Sequence, residues 1–194
     1  MLWVAEGFTV YYQHVILKRA GLTTRQELFK SLRSNIVSYE RRPGRLKQSA
    51  AEASFATWRE GPFGAGDDTI SVYDKGAALG MLLDFKIRHE TQNAKSLDDV
   101  MRALYREFHV DKGRGYTEDE FRTVCEQTAA CELQELFDYA TTTNEVNYPK
   151  YLGYAGLAIE MPGDGPREEA FDIAPVDHPT ELQQRILVSW LGNG

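Results

Sequence analysis

The sequence predicts an all-α fold, a multi-helix domain with one short strand near 157–161. Three observations carry this reading. Apolar residues recur at helical spacing through most of the 194 residues. Hydroxyl residues followed three positions later by an acid precede several of these stretches, the signature of a helix start. Glycine and proline cluster between the stretches, where they penalise regular structure.

Each element follows in order. Leu2, Trp3, Phe8, Tyr12, Val15 and Ile16 predict one opening helix, with Gly21 as its stop. Thr24 and Glu27 form a capping box ahead of Leu28, Phe29, Leu32, Ile36 and Tyr39, and that helix ends before Pro43-Gly44. A shorter helix covers Ala50 to Trp58, and the Gly/Pro-rich stretch 61–68 is a loop. Thr69 to about Glu90 is the longest helical pattern, small or apolar on nearly every side. Such a helix belongs at the centre of a domain. Ser96 opens the next helix (Leu97 to Phe108), and Thr117 with Glu120 caps Phe121 to Gln127. Glu132 to Tyr139 is short. Beyond Leu157 the composition shifts: Pro162 to Pro179 is rich in proline and acid, and Thr180 to Leu191 is again amphipathic. The reading therefore divides the chain into a helical body, 1–157, and a proline-rich excursion plus terminal helix, 158–194.

Composition removes several classes. Twenty-two basic and 29 acidic residues leave a net charge of −7, with Arg41 to Lys47 the lone basic cluster. That argues against nucleic acid, whose phosphates need concentrated cations. No apolar run approaches the ~18 residues of a membrane span, and no secretion signal is visible. The compartment stays open between cytoplasm and periplasm. Cys125 and Cys131 are too few for a disulfide framework, and two reduced thiols are the expectation.

The usual chemical motifs fail on spacing. Asp111 to Glu120 invites a calcium loop, but Gly113 and Gly115 stand where oxygen ligands belong, and Glu120 comes too early. His14, His89, His109 and His178 form no zinc pair and no H-E-x-x-H. His14 is placed two turns from Glu6, able to share its face. G-x-S-x-G and a phosphate loop are both absent. Two residues remain. Glu6 is a lone acid between Trp3, Val4, Phe8 and Val10, and a carboxylate in apolar surroundings needs a partner or a metal. Tyr73 stands near the start of the long helix, where a phenol is either core or a donor to developing negative charge.

Taken together and in order, "LWVAEGFTVYY" and "TISVYDKGAALGMLLDFKIR" resemble the glycyl-aminopeptidase-type family of zinc metallopeptidases, in the gluzincin group. "PGRLKQSAAEASFATW", "KSLDDVMRALYREF", "GYTEDEF" and "YLGYAGL" resemble it in the same order, over about residues 1–157. The resemblance implies a helical C-terminal half of a gluzincin catalytic domain. Within it Glu6 is the third Zn2+ ligand and Tyr73 the phenol that stabilises the tetrahedral intermediate. It also implies a peptide substrate with a small N-terminal residue, Gly or Ala. The H-E-x-x-H of the family belongs upstream of "LWVAEGF", so this chain is expected to be inactive alone and to partner the missing N-terminal half. Self-association through an exposed N-terminal helix is expected as well, with Trp3 and Phe8 bare. The competing reading is a non-catalytic helical interaction module on the same scaffold.

Overall fold

The computed structural model describes residues 1–61, 63, 66–162 and 170–192. Pro62, Gly64 and Ala65 of the expected loop, and 163–169 of the expected excursion, lie outside the described residues.

The fold is helical, with one two-stranded sheet among the described residues. In order come α1 (Leu2–Ala5), α2 (Gly7–Arg19), α3 (Arg25–Glu40), a 3-10 turn (Pro43–Leu46), α4 (Ala50–Glu60), α5 (Val72–Glu90) and α6 (Leu97–Leu104). A π-helical segment (Tyr105–Asp111) follows, then α7 (Glu118–Ala129), α8 (Gln134–Thr141), α9 (Tyr148–Gly153), β1 (Leu157–Ile159), β2 (Ile173–Pro175) and α10 (Glu181–Leu191). The capping boxes at Thr24 and Thr117 form as expected, and Ser49, Ser96 and Thr180 add three more. No helix among the described residues is long and apolar enough to cross a membrane.

Helix α5 is the axis of the molecule, with α1, α2, α3, α8 and α9 packed round it. Ala77, Leu82, Phe85 and Ile87 have essentially no exposure, which is why its sequence is apolar nearly all round. The tightest crossing is with α2. A Cβ on Gly7 would lie 2.3 Å from the Gly76 Cα, and one on Gly76 would lie 2.1 Å from the Trp3 carbonyl oxygen. Glycine at both positions lets the two backbones touch.

Three expectations are corrected. The opening helix is two pieces, because the chain breaks at Glu6, the C-cap of α1 and the N-cap of α2. The N-terminal segment is not bare: Trp3 and Phe8 are 3% and 2% exposed. Their rings meet Phe121 edge-on at about 6 Å, and the Trp3 amide donates to the Ser54 Oγ at 2.9 Å. The strand near 157–161 exists, but it pairs antiparallel with β2, which the sequence hid inside the proline-rich excursion. Between the strands Phe171 is fully buried at φ 67°, its ring against Tyr148. A bulky residue in the left-handed region is held there only by its surroundings.

The C-terminal helix belongs to the same core. Trp190 is fully buried on Phe85, and its indole N–H donates to the Tyr11 hydroxyl at 2.7 Å.

Candidate active site

The two residues singled out from the sequence are brought together. Glu6 sits at the break between α1 and α2, half-buried. Tyr73 sits in the first turn of α5, also half-buried. Partial burial first, then the negative charge of Glu6 and a hydrogen bond to its carboxylate, push the Tyr73 phenol above its ordinary value. The Gly7–Gly76 crossing explains the juxtaposition. Each glycine lies next to, or one turn beyond, the residue it positions, so the backbones meet where the carboxylate and phenol must meet.

A polar brace holds the same corner. Ser71 caps α5, accepting from the Asp74 amide at 3.3 Å. The Asp74 carboxylate accepts from the Asn35 side-chain amide at 3.1 Å and from the Ser38 hydroxyl at 3.0 Å. The Asn35 side-chain oxygen meets His14 Nε2 at 3.1 Å. His14 is therefore turned toward α3, tied to Asn35 rather than placed with Glu6, and burial lowers its pKa. Helices α2, α3 and α5 are thus linked beside Tyr73 by side chains that do not themselves reach the pair.

The remaining titratable candidates are spent elsewhere. His89 stacks on Tyr154 at 4.1 Å, and His109 and His178 lie on the surface. Glu120 takes both Arg114 nitrogens at 2.9 and 2.6 Å while capping α7, so the carboxylate a calcium loop would need is engaged. Cys125 and Cys131 are free thiols, both pushed up by burial. Among the described residues no three His, Cys, Asp or Glu side chains come together to hold a metal. Glu6 is one oxygen donor, whereas a catalytic zinc needs three protein ligands. The described residues therefore do not make a zinc site by themselves.

Two features escaped the sequence reading. Phe63 stacks on Tyr73 with ring centroids 5.1 Å apart, and nothing in a Gly/Pro-rich stretch signals that contact. Gly7 and Gly76 could have been suspected from the run Gly76-Ala77-Ala78, since a string of small residues on a buried helix marks close backbone approach.

A carboxylate and a phenol so placed have a limited repertoire. The carboxylate can accept protons or donate electron pairs to a cation. The phenol, kept protonated, can donate a hydrogen bond to an oxygen gaining negative charge.

Residues 1–79, which contain the pair and both glycines, match the model of the M61 glycyl aminopeptidase family. Among solved structures, an aminopeptidase N family protein from Idiomarina loihiensis is similar, with a TM-score of 0.76 and 24% sequence identity over 83% of this chain. That likeness is one of fold, and the chain spans 28% of that protein's length. No curated protein matches. The family likeness is thus carried by residues 1–79, and the likeness of fold extends over most of the chain.

Proposed function

We propose that this chain is the helical half of a zinc-dependent aminopeptidase that removes small N-terminal residues, Gly or Ala, from peptides. The observation that carries the reading is the Glu6–Tyr73 pair: residues 67 positions apart (73 − 6) in the sequence, meeting at a glycine-on-glycine crossing inside the segment that matches the family. In this reading Glu6 supplies one carboxylate oxygen to Zn2+, whose other ligands, and the general base, come from an H-E-x-x-H in the N-terminal half. When bound, zinc supplies a water acidified toward neutral pH. Tyr73 donates its hydroxyl hydrogen bond to the carbonyl oxygen of the scissile bond as that oxygen becomes negative. The raised phenol pKa suits a group that must stay protonated at neutral pH. A single donor is too few to retain zinc, so activity is expected only together with the half that carries the H-E-x-x-H.

The purified chain is expected to hold no stoichiometric zinc and to leave a glycine anilide intact. A polypeptide extended upstream through an H-E-x-x-H is expected to gain both. In that longer protein Glu6→Gln should lose metal. Tyr73→Phe should keep metal and lower kcat by about a hundredfold or more, the usual cost of one oxyanion donor. Full zinc and full activity in Glu6→Gln would overturn the assignment, as would turnover by the isolated chain.

A further inference from the structure

A bare aromatic ridge runs along α4. Phe55 and Trp58 are 91% and 89% exposed, and their spacing of three puts them side by side on one helix face. Single exposed apolar residues are ordinary, but large rings paired on one face mark a contact surface. Two open cavities flank the ridge, and Phe55 and Trp58 line both. One, of about 1000 Å3, is rimmed by Lys47, Glu52, Arg59 and Asp68. The other, of about 480 Å3, reaches Leu2 and Trp3 of α1. Beyond the end of α4 a third exposed ring, Phe63, stacks on Tyr73 at 5.1 Å. The ridge is thus next to the Glu6–Tyr73 pair: α4 packs on α1, whose C-cap is Glu6, and the exposed Phe63 stacks on Tyr73.

We propose that this ridge binds the part of a peptide that follows the residue held at Glu6 and Tyr73, and that it selects apolar, above all aromatic, side chains there. The proposal rests on the peptidase reading above. An extended peptide advances about 3.3 Å per residue and sends successive side chains to opposite sides. A ridge with a cavity on each flank matches that alternation. The rim carries two charges of each sign, Lys47 and Arg59 with Glu52 and Asp68, and so favours neither sign in an incoming side chain. The size of the patch also favours a peptide over a second copy of the chain. Two aromatic side chains present roughly 400 Å2, about half of the ~800 Å2 that each partner gives to a stable protein interface.

Trp58 is a built-in reporter. The chain has three tryptophans, and Trp3 and Trp190 are buried, so acrylamide quenching reads Trp58. The peptides Gly-Phe-Leu-Phe-amide and Gly-Ser-Asp-Ser-amide are titrated into the chain without metal. The apolar peptide should shield Trp58 and shift its emission to the blue, with the polar peptide at least about tenfold weaker. Phe55→Ser should weaken the apolar peptide about tenfold while circular dichroism and Tm stay unchanged, because its side chain is almost wholly exposed. Equal shielding by both peptides, or none at the solubility limit, overturns the proposal. So does shielding that grows with protein concentration while the scattering mass doubles and that Phe55→Ser abolishes, which would make the ridge a self-association face. Neither metal nor turnover enters this measurement. Its failure therefore leaves the zinc assignment to its own test, and an unaffected Glu6→Gln enzyme would leave the ridge standing.

Discussion

At the scale of single residues, the site depends on two side chains that are missing as much as on two that are present. Glu6 and Tyr73 were legible because each stands in a recognisable stretch. What joins them, the contact of Gly7 with Gly76, is only hinted at by the small run Gly76-Ala77-Ala78, since a glycine in sequence does not say whether it turns, hinges or makes room. The distances decide: a Cβ at Gly76 would lie 2.1 Å from the Trp3 carbonyl oxygen and 2.8 Å from the Gly7 Cα, and both obstacles are backbone. Gly76→Ala should therefore force α1 and α2 off α5. It should cost about 1–3 kcal/mol, or more if the helices cannot separate, despite the better helix propensity of alanine. Gly153→Ala is the control, because a Cβ there meets nothing within 4 Å, and it should be neutral or slightly stabilising. Urea unfolding of the two variants checks both. Equal stability of Gly76→Ala and Gly153→Ala would mean that the crossing is not tight.

At the scale of elements, α5 was read correctly as the buried centre because its apolar residues cover every face. The polar residues it buries went unread. Lys75 is 1% exposed, donates to the Tyr39 hydroxyl at 2.7 Å and lies over the Tyr39 ring. Glu40 of α3, Arg45 of the 3-10 turn and Tyr148 of α9 complete the cluster, with the Tyr148 hydroxyl donating to Glu40 at 2.9 Å. No local pattern announces such a lysine, because the partners come from three other elements. Burial lowers its pKa to about 7, with Glu40 opposing and Arg45 reinforcing. The folded value is thus depressed below the ordinary 10.5. Between pH 7 and 10.5 the unfolded chain binds the extra proton, so this group makes stability rise with pH across that window and contributes no slope below it. From pH 7 to 9 the rise is about 2 kcal/mol at most. Lys75→Met should remove that slope, whatever it does to absolute stability. Urea midpoints of wild type and variant at pH 6, 7, 8 and 9 test this, and parallel curves would show that Lys75 keeps an ordinary pKa. The break at Glu6 and the π-helical turn after Leu104 were illegible for a related reason. Apolar spacing continues through both, so periodicity alone runs straight on.

At the scale of the whole molecule, the two ends of the described chain are closed onto one buried relay. The Trp190 indole donates to the Tyr11 hydroxyl, and Tyr11 donates to Asp84 at 2.6 Å. Asp84 also accepts from Arg88 and from the Leu97 amide, each at 2.9 Å, while Arg88 reaches Ser189 of α10. Burial and then the Asp84 charge push the Tyr11 phenol well above its ordinary value, so it stays a donor at any physiological pH. Each member satisfies the next, and an unpaired buried polar group is costly. The C-terminal helix should therefore unfold with the body. Trp190→Ala removes the ring packed on Phe85 and leaves a cavity, and should cost about 3–5 kcal/mol. Trp190→Phe keeps most of the packing, loses the indole donor, and should cost about 1–2 kcal/mol. In a Trp58→Phe background the tryptophan emission comes from Trp3 and Trp190 alone, one near each end of the chain. Their urea transition should then coincide with the loss of helical circular dichroism, as in a single cooperative unit. A fluorescence change that comes first, and that disappears in Trp190→Phe, would instead mean that α10 detaches ahead of the body, and the relay would not bind the ends together.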